Sequence, residues 1–398
     1  MSKPKHLAPN YNPLPVKVAT AEDCWVTDVD GKRYYDALAG YSSLNFGHRH
    51  PGLIQATKDQ MDRVTLVSRA FDFELLEPFS DALADLCGMD MVLPMNTGAE
   101  AVETAIKAAR KWAYEVKGVP SEEGLIIVAE NNFHGRTTTI VSFSNDDVAR
   151  DNFGPFSGGF LAVPYGDTEA LEKAITDNAD RLAAVMFEPI QGESGVIVPP
   201  AEFMQAARDL TEKHNALLII DEIQSGLGRT GHTFCWEMFG VKPDLMTLGK
   251  ALGGGIFPVS ACVGRRDVLG LMTPGTHGST FGGNPIACAL GMAVVDLLKT
   301  GEYQARAREL GAYFQERLQA MVDDGLLFGK RGVGLWAGID IDPALATGRA
   351  VCELLMDKGV LAKDTHGSTL RFAPPLTTSK EDLDWMLDQL EAVLLEIK

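Results

Sequence analysis

The sequence lacks several patterns that would assign it to a function class at once. No two cysteines have the Cys-x-x-Cys spacing, and the six cysteines are scattered between Cys24 and Cys352. Such scatter is not typical of zinc sites or of a disulfide framework, so we expect buried thiols and no metal site. No segment reaches about 18 consecutive apolar residues, the length that a membrane helix needs. We therefore expect no membrane partner.

Positive charge is also scarce. Lys and Arg number 36 against 54 Asp and Glu, which gives a formal net charge of −18. Because phosphate backbones are bound by clustered Lys and Arg, we expect no nucleic-acid partner. The acidity favours a solvated surface and does not indicate the charge of the active site. The stretch from Met1 to Pro15 is polar, with neither an apolar nor an Arg-rich targeting segment, so we expect a cytoplasmic enzyme.

Short apolar runs alternate with helical patterns from Asp90 onward, which predicts an α/β fold. Continuous apolar strands separated by helices indicate a mostly parallel sheet covered on both faces. A hairpin is predicted from Val26 to Tyr35, and a charged stretch from about Asp296 to Ala320 has helical spacing. The predicted strands of the sheet are residues 91–95, 125–128, 183–187, 217–220, 245–248 and 259–263.

We predict three regions along the chain. Residues 1–44 form an N-terminal segment that packs with a small domain. Residues 45–295 form a large α/β domain, and residues 296–398 return to short strands and helices as a smaller α+β domain.

Two reactive side chains follow predicted strands. Asp221 ends the run 217–220, and ligands of open α/β sheets bind beyond the carboxyl ends of strands. Taken alone, this Asp is equally consistent with a loop cap. Lys250 follows the run 245–248 and precedes the glycines 253–255. A lone lysine is usually solvated, but a lysine kept dry becomes an amine nucleophile, and its setting here favours that role.

Two further segments suit a phosphate group. Asn96-Thr97-Gly98-Ala99 precedes a predicted helix, and backbone N–H groups at a helix N-terminus bind anions. Plain N-capping by Asn96 or Thr97 is the alternative interpretation. The segment is neither a P-loop nor a dinucleotide fingerprint. The loop 277–285 offers the hydroxyl of Thr280 as a second donor.

A phosphate cradle, a carboxylate and a nucleophilic lysine together match the requirements of pyridoxal phosphate. The carboxylate pairs with the pyridine nitrogen and maintains the ring as an electron sink. The lysine bonds to the aldehyde and then transfers a proton.

On these residues the sequence resembles the class III pyridoxal-phosphate-dependent aminotransferases of fold type I. The most specific part is DEIQSGLGRTG (221–231), followed by LGKALGGG (248–255). Within the family, YSSLNFGHRHP (41–51), EPIQGESG (188–195) and RFAPPL (371–376) resemble the ornithine aminotransferases. The resemblance implies a large domain with a mostly parallel seven-stranded sheet, and transfer of the δ-amino group of ornithine to 2-oxoglutarate or another 2-oxo acid.

The resemblance also implies the cofactor-binding residues. Lys250 matches the Schiff-base lysine, Asp221 the partner of the pyridine nitrogen, Gln224 the contact to the 3′-oxygen and Phe133 the aromatic side chain that stacks on the ring. Gly98 and Ala99 match the phosphate cradle, and Thr280 matches a phosphate ligand from the other subunit. We therefore expect a homodimer with shared active sites, and a higher oligomer built from such dimers is left open.

Substrate recognition follows from the same resemblance. Tyr41 and Arg136 match a pair that holds the far α-carboxylate of ornithine, and Arg371 matches the clamp for the α-carboxylate of glutamate. Arginine suits both tasks because it binds carboxylates through two parallel hydrogen bonds. Glu193 matches the residue that pairs with Arg371 until a dicarboxylic substrate arrives, and Glu188 lies in the same motif.

Three alternatives remain open. The chain is also consistent with an acetylornithine, 4-aminobutyrate or other ω-amino acid transaminase. A catalytically silent cofactor-binding protein is a second alternative, and a nicotinamide oxidoreductase is disfavoured by the missing fingerprint. Asp72 departs from the aromatic or His expected after Ser68-Arg69-Ala70-Phe71, at a position expected to border the substrate pocket.

Overall fold

The computed structural model describes residues 6–398. The strands, numbered in chain order, are β1 Val18–Glu22, β2 Trp25–Asp28, β3 Arg33–Asp36, β4 Met91–Met95, β5 Leu125–Ala129, β6 Phe160–Val163, β7 Leu182–Phe187, β8 Leu217–Asp221, β9 Leu245–Leu248, β10 Ser260–Gly264, β11 Gly329–Val333, β12 Trp336–Asp340, β13 Val360–Leu361, β14 Lys363–Thr365 and β15 Thr369–Phe372.

The helices connect and cover these strands. They are α1 Ala39–Ser42, α2 Pro51–Met61, α3 Leu76–Cys87, α4 Gly98–Trp112, α5 Thr138–Val141, α6 Asp147–Arg150, α7 Thr168–Asp177, α8 Ala201–Lys213, α9 Trp236–Phe239, α10 Arg266–Leu269, α11 Pro285–Lys299, α12 Glu302–Asp323, α13 Gly348–Asp357 and α14 Lys380–Ile397, with a π-helical turn at Ala113–Lys117 and a 3₁₀ turn at Lys250–Gly253. Within residues 6–398, no helix has both the length and the apolar character that a membrane crossing requires.

The central sheet has seven strands in the order β4-β10-β9-β8-β7-β5-β6. Strand β10 runs antiparallel to both of its neighbours, and the other adjacent pairs are parallel. The prediction of a mostly parallel sheet is confirmed, and the ends of the six predicted strands differ from the structure by at most one residue. The edge strand β6 was missed because its four residues lie between Gly159 and Pro164, which mask the apolar signal.

Both faces of this sheet are buried, as the continuous apolar runs predicted. Along β5, Ile126 and Val128 belong to the core beneath α4, whereas Leu125 and Ile127 belong to the core beneath α7 and α8. Burying such a side chain fully contributes roughly 1.5–3 kcal/mol, so the two layers stabilise the sheet from both sides. All six cysteines are buried and free, as expected.

Two smaller sheets flank the central one. One has the order β1-β2-β3-β13, and its β2–β3 pair confirms the hairpin predicted from the sequence. Because β13 pairs in parallel with β3, the C-terminal part of the chain completes the N-terminal sheet. The other has the order β11-β12-β15-β14 and carries Arg371 in β15.

The charged helical stretch predicted between residues 296 and 320 belongs to two helices. Helix α11 ends at Lys299 and α12 begins at Glu302, with Gly301 between them at a φ of 73°. Glycine adopts such a left-handed conformation without steric cost, and this allows the sharp change of direction. The predicted domain boundary at residue 296 falls inside α11, and the division into three regions stays a prediction.

A close backbone contact fixes α12 against the sheet that carries Arg371. A Cβ atom added at Gly311 of α12 would lie 2.5 Å from the backbone of Gly334, two residues before β12. No real Cβ contact is that short, so helix and hairpin approach each other only because position 311 has no side chain.

Replacing this glycine reverses the usual effect of such a change in a helix. Gly→Ala ordinarily stabilises a helix by about 0.5–1 kcal/mol. We expect Gly311→Ala to lower the free energy of unfolding by about 1–3 kcal/mol instead, because the methyl group overlaps the Gly334 backbone. Chemical denaturation measures the difference. Gly52→Ala in α2 is the matched control, since its Cβ would meet only the His50 ring at 3.4 Å. Equal stability of the two variants would contradict the contact.

Candidate active site

The carboxyl ends of β8 and β9 and the N-terminus of α4 meet at one edge of the central sheet. Parallel strands place their carboxyl ends at the same edge, which is where ligands of open α/β sheets bind. A single cavity there is lined by six of the seven predicted cofactor-binding residues: Gly98, Ala99, Phe133, Asp221, Gln224 and Lys250. The structure therefore brings together the carboxylate, the amine and the phosphate cradle.

The buried carboxylate of Asp221 is held by three donors. His134 Nδ1 donates to Oδ2 at 2.6 Å, while Thr247 Oγ1 and the Ile223 backbone N–H donate to Oδ1 at 3.0 Å each. Burial disfavours the charged imidazole, but the hydrogen bond and the charge of Asp221 outweigh it and raise the pKa of His134. The carboxylate is thus oriented by three donors, and its charge favours the protonated form of His134.

His134 was missed in the sequence, although it lies in the FHGRT segment beside Phe133. The signal that could have found it is the position of a histidine next to a predicted ring-stacking residue. Ile223 was also missed. It lines the cavity, and a Cβ added at Gly98 would lie 2.9 Å from its Cδ1, so this position of the cradle has no room for a side chain.

Lys250 begins the 3₁₀ turn after β9 and has a φ of 44°. Burial lowers the pKa of its ammonium group, more than the negative charges of Glu193, Asp221 and Glu188 raise it. A lysine with a lowered pKa has more of its amine in the neutral form that can act as a nucleophile. The burial and the lowered pKa agree with the amine nucleophile that the sequence predicts at Lys250.

The N-terminus of α4 combines a cap with an anion site. The Thr97 side chain accepts the Glu100 backbone N–H at 3.3 Å, and Glu100 Oε2 accepts the Thr97 backbone N–H at 2.7 Å, forming a capping box. The capping interpretation is therefore correct for Thr97. Gly98 and Ala99 are the first two residues of the helix, whose N–H groups have no acceptor within a helix. Both line the cavity and remain available to an anion.

Glu188 lies in this cavity rather than beside the predicted substrate residues. Its Oε2 accepts the backbone N–H of Phe133 at 2.9 Å. Burial raises the pKa of Glu188 to about 7. The side chain therefore fixes the backbone of the predicted ring-stacking residue and is partly neutral near pH 7.

A second cavity opens beside the first and shares Phe133 with it. It is lined by the four remaining predicted substrate residues: Tyr41, Arg136, Glu193 and Arg371. Tyr11, which was not selected from the sequence, lines it as well. The available signal was this tyrosine in the segment YNPLPV (11–16).

Arg371 and Glu193 form an ion pair in this second cavity. Arg371 Nη1 donates to Glu193 Oε1 at 2.7 Å and to the Gly192 carbonyl at 3.2 Å. Burial opposes ionisation of Glu193, but the positive charges of Arg371, Lys250 and Arg136 lower the pKa of its carboxyl. The pair is therefore charged at neutral pH.

The two other substrate residues contact different partners. The Tyr41 ring lies 5.3 Å below the Arg371 guanidinium, and the Arg136 guanidinium lies 5.6 Å from the centre of the Phe133 ring. Arg136 is exposed in the cavity. The structure thus places Tyr41 against Arg371 and leaves Arg136 open toward the cavity.

Tyr41 lies in a turn with unusual backbone geometry. The four residues of α1, from Ala39 to Ser42, have φ values of 49°, 55°, 58° and 68°. A left-handed conformation costs roughly 1–2 kcal/mol for each residue that carries a side chain. Strain of this kind persists only where the surrounding contacts impose it, and it is frequent at functional sites.

Thr280 and Asp72 lie outside both cavities in the single chain. Thr280 is exposed and lines a separate surface depression with Ser68 and Arg69. Asp72 is exposed, and its Oδ1 accepts the backbone N–H of Phe73 at 2.8 Å. The expected position of Asp72 at the substrate pocket is therefore not found within one chain.

Comparison with known proteins matches nearly the whole chain. The family described as aminotransferase class-III matches residues 6–394. The chain is 51% identical to the ornithine aminotransferase of Brevibacillus brevis over 387 residues, covering 97% of this chain and 95% of that protein.

Solved structures agree with this match. The ornithine aminotransferase of Toxoplasma gondii has a TM-score of 0.96 at 41% identity and covers 98% of this chain and 93% of that chain. An acetylornithine aminotransferase from Elizabethkingia anophelis has a TM-score of 0.89 at 42% identity, covering 98% and 97%. These matches, together with the lysine, carboxylate and helix terminus in one cavity, show that the chain belongs to the class III aminotransferases, whose cofactor is pyridoxal 5′-phosphate.

Proposed function

We propose that the protein transfers the δ-amino group of L-ornithine to 2-oxoglutarate, which gives L-glutamate 5-semialdehyde and L-glutamate. The observation that carries the proposal is the Arg371–Glu193 ion pair, with its 2.7 Å contact, in the cavity that also holds Arg136 and Tyr41. The relatives named as ornithine aminotransferases support the same substrate.

The ion pair meets the different demands of the two substrates. Glutamate and 2-oxoglutarate react at a carbon next to a carboxylate, which Arg371 would bind. Ornithine reacts at its δ-carbon, which has no carboxylate beside it. A buried guanidinium left without a partner is strongly destabilising, and Glu193 would supply the missing negative charge when ornithine is bound. Arg136, exposed in the same cavity, would bind the distant α-carboxylate of ornithine, with the Tyr41 ring beside it.

The first cavity fits pyridoxal phosphate. Bound there, the cofactor would withdraw electrons from the substrate carbon that carries the amine. Lys250 would hold the aldehyde carbon until the substrate amine replaces it there, and the freed Nζ, with a lowered pKa, would then take the proton from the substrate carbon. Asp221 would face the pyridine nitrogen, and the N–H groups of Gly98 and Ala99 would bind the phosphate.

Two other side chains of this cavity would orient the cofactor. Phe133, fixed by its backbone hydrogen bond to Glu188, would cover one face of the ring. Gln224 would contact the 3′-oxygen. Its side chain packs closely against the backbone of Gly192, where an added Cβ would lie 2.0 Å from Oε1. Packed on the ring in this way, the two side chains would exclude water from it.

Removing the amine should abolish turnover without unfolding the protein. We expect Lys250→Ala to have no measurable transaminase activity, because no other amine of the cavity lining replaces Nζ. Its circular dichroism should match the wild type, and the cofactor should still bind weakly. Lys173→Ala, at an exposed lysine of α7, is the control and should keep full activity. A Lys250→Ala protein that turns over would contradict the proposed role.

Removing the charge of Glu193 should shift the preference between the two amino donors. We expect Glu193→Gln and Glu193→Ala to raise the ratio of kcat/KM for glutamate to that for ornithine by about tenfold, because Arg371 is freed for a carboxylate. Stopped-flow measurement of the first half-reaction with each amino acid gives the ratio.

A second ion pair provides the matched control for this experiment. Arg331 and Asp340 pair at 2.5 Å between β11 and β12, and neither side chain lines the two cavities. Asp340→Asn should leave the ratio unchanged. An unchanged ratio in both Glu193 variants would contradict the switch.

The acetylornithine aminotransferase among the structural relatives supports one competing donor class. Comparing ornithine, N-acetylornithine and 4-aminobutyrate as donors on the same preparation distinguishes them. We expect the highest kcat/KM with ornithine. A far higher value with either of the other two donors would replace ornithine as the substrate.

We also propose a homodimer in which each chain supplies Thr280 to the partner's cofactor site. Thr280 is exposed and lies outside the Lys250 cavity, as a residue that serves a second chain would. Two large apolar side chains of this region are exposed too: Phe281, next to Thr280 in sequence, by 50%, and Phe71, two residues after Arg69 of the same depression, by 70%. Exposed apolar groups of this size are typical of interfaces.

The shared site has a measurable consequence. Sedimentation should show a dimer, and Thr280→Val should lower the affinity for pyridoxal phosphate by about tenfold, because a hydrogen bond to a charged phosphate is worth about 1.5–3 kcal/mol. Thr276→Val in the same loop is the control, since its hydroxyl donates to the Thr273 carbonyl at 2.7 Å. A monomer, or equal affinity in both variants, would contradict the shared site.

A further inference from the structure

A carboxylate outside the cofactor site holds the strained turn that carries Tyr41. We propose that Asp36 is a positioning residue, which keeps the turn Ala39–Ser42 left-handed and thereby keeps the Tyr41 ring under the guanidinium of Arg371. The proposal rests on the proposed function insofar as it assigns Asp36 an effect on binding of the ω-amino donor.

The turn requires a restraint from outside its own residues. Ala39, Tyr41 and Ser42 carry side chains yet have φ values of 49°, 58° and 68°. Residues other than glycine, asparagine and aspartate rarely adopt this region. The Ser42 hydroxyl is buried, and no group of residues 6–398 forms a hydrogen bond with it, so it does not offset the strain of its own backbone.

Asp36 supplies the restraint with one carboxylate oxygen. Its Oδ1 accepts the backbone N–H of Leu38 at 3.0 Å and that of Ala39 at 2.9 Å, which are the two residues at the entrance of the turn. Two charge-assisted hydrogen bonds to consecutive N–H groups fix the direction in which the chain enters. The turn then starts from an orientation in which Tyr41 points toward Arg371.

The other carboxylate oxygen ties this arrangement to the rest of the fold. His48 Nε2 lies 2.8 Å from Asp36 Oδ2. The backbone of His48 is fixed in turn, because it exchanges two hydrogen bonds with Asp23, at 2.7 Å and 3.0 Å. Asp36 thus connects the turn to a segment whose backbone is paired with Asp23.

Ala37, the residue after Asp36, is joined directly to the end of β15, the strand that carries Arg371. The Ala373 backbone N–H donates to the Ala37 carbonyl at 2.7 Å, and Ala373 lies two residues after Arg371. The turn and Arg371 are therefore both positioned relative to the backbone of Ala37. A shift of the turn relative to Ala37 changes the position of Tyr41 relative to Arg371.

Asp36 lines the second cavity, so a direct contact with substrate is the competing explanation. Its two oxygens already serve three partners within 3.0 Å, and its side chain is only 13% exposed. An engaged carboxylate acts through the residues that it holds. The geometry therefore favours an effect through Tyr41.

Three variants separate positioning from charge and from general stability. Asp36→Ala removes all of its hydrogen bonds. Asp36→Asn retains an oxygen that accepts the Leu38 and Ala39 N–H groups. It loses the charge and places an amide N–H, which can donate to Nε2, opposite His48. Asp28→Ala is the matched control, because Asp28 Oδ1 likewise accepts two backbone N–H groups, of Asp30 and Lys32 at 2.9 Å, and its Oδ2 accepts the Tyr34 hydroxyl at 3.0 Å. That site lies at the exposed hairpin of the same small sheet.

We expect Asp36→Ala to raise the KM for ornithine by about tenfold while kcat falls less than about threefold, which is the pattern of lost ground-state binding. Asp36→Asn should stay within about twofold of the wild type, and Asp28→Ala should match the wild type in both constants. The Tyr41→Ala/Asp36→Ala double variant, compared with each single variant, should show less than additive effects, because both changes remove the ring from its place under Arg371.

Two outcomes would overturn the proposal. One is an unchanged KM in Asp36→Ala, and the other is an Asp36→Asn variant as impaired as Asp36→Ala, since that would assign the effect to charge. If Asp36→Ala does not fold, Asp36→Ala/Ser42→Gly provides a second route, because glycine removes the strain at position 42. This double variant should fold and recover part of the affinity, and failure to recover would also count against positioning.

A crystal structure of Asp36→Ala gives a readout that does not depend on the amino donor. We expect Tyr41 to leave the left-handed region and its ring to move away from Arg371. A turn that keeps its φ values without the Asp36 carboxylate would overturn the positioning role even if ornithine is the substrate. If ornithine is not the substrate, the structural result still decides the role of Asp36.

Discussion

The buried guanidinium of Arg371 is the constraint on which the substrate site depends. Its side chain is 3% exposed, whereas that of Glu193, 2.7 Å away, is 28% exposed. A buried ion pair contributes little net stability, because desolvation offsets the attraction, so the pair is not explained by a need for stability. The difference in exposure indicates which partner moves when the pair separates. The Glu193 carboxylate can leave for solvent, and the Arg371 guanidinium stays in place.

Backbone support of the two residues agrees with this division. Arg371 lies in β15 between two paired strands, with Gly338 of β12 on one side and Lys363 of β14 on the other. Glu193 lies in a loop closed by the isolated bridge between Gln191 and Ile197. A side chain on a paired strand keeps its position, whereas a loop permits the rotation that an exchange of partners requires.

The sequence predicted well those features whose cause is local. The central strands were found from apolar runs, and Asp221 and Lys250 were found because each directly follows such a run. Features that depend on distant pairs could not be found in this way: His134 and Asp221 are 87 positions apart, and Glu193 and Arg371 are 178 apart. Glu193 and Arg371 were proposed only through the family resemblance.

The left-handed turn shows a second limit. Three of its four residues have no intrinsic tendency toward positive φ, so propensity gave no sign of it. The turn exists because Asp36 and the neighbouring strands impose it. Thr280 shows a third limit, since the role expected for it requires a second chain, and no arrangement of one chain can test that expectation.

The electrostatics around Lys250 explain why its pKa is lowered although three carboxyl groups lie nearby. The charge of each of these carboxyl groups, those of Asp221, Glu193 and Glu188, is compensated separately. His134, whose pKa is raised, serves Asp221, and Arg371 serves Glu193. Glu188, with a pKa of about 7, is neutralised in part by a bound proton. Little uncompensated negative charge remains to stabilise an ammonium group, so burial determines the pKa of Lys250 and lowers it. A substitution that removes the partner of Asp221 or of Glu193 would therefore raise the pKa of Lys250. It would weaken the nucleophile without changing Lys250 itself.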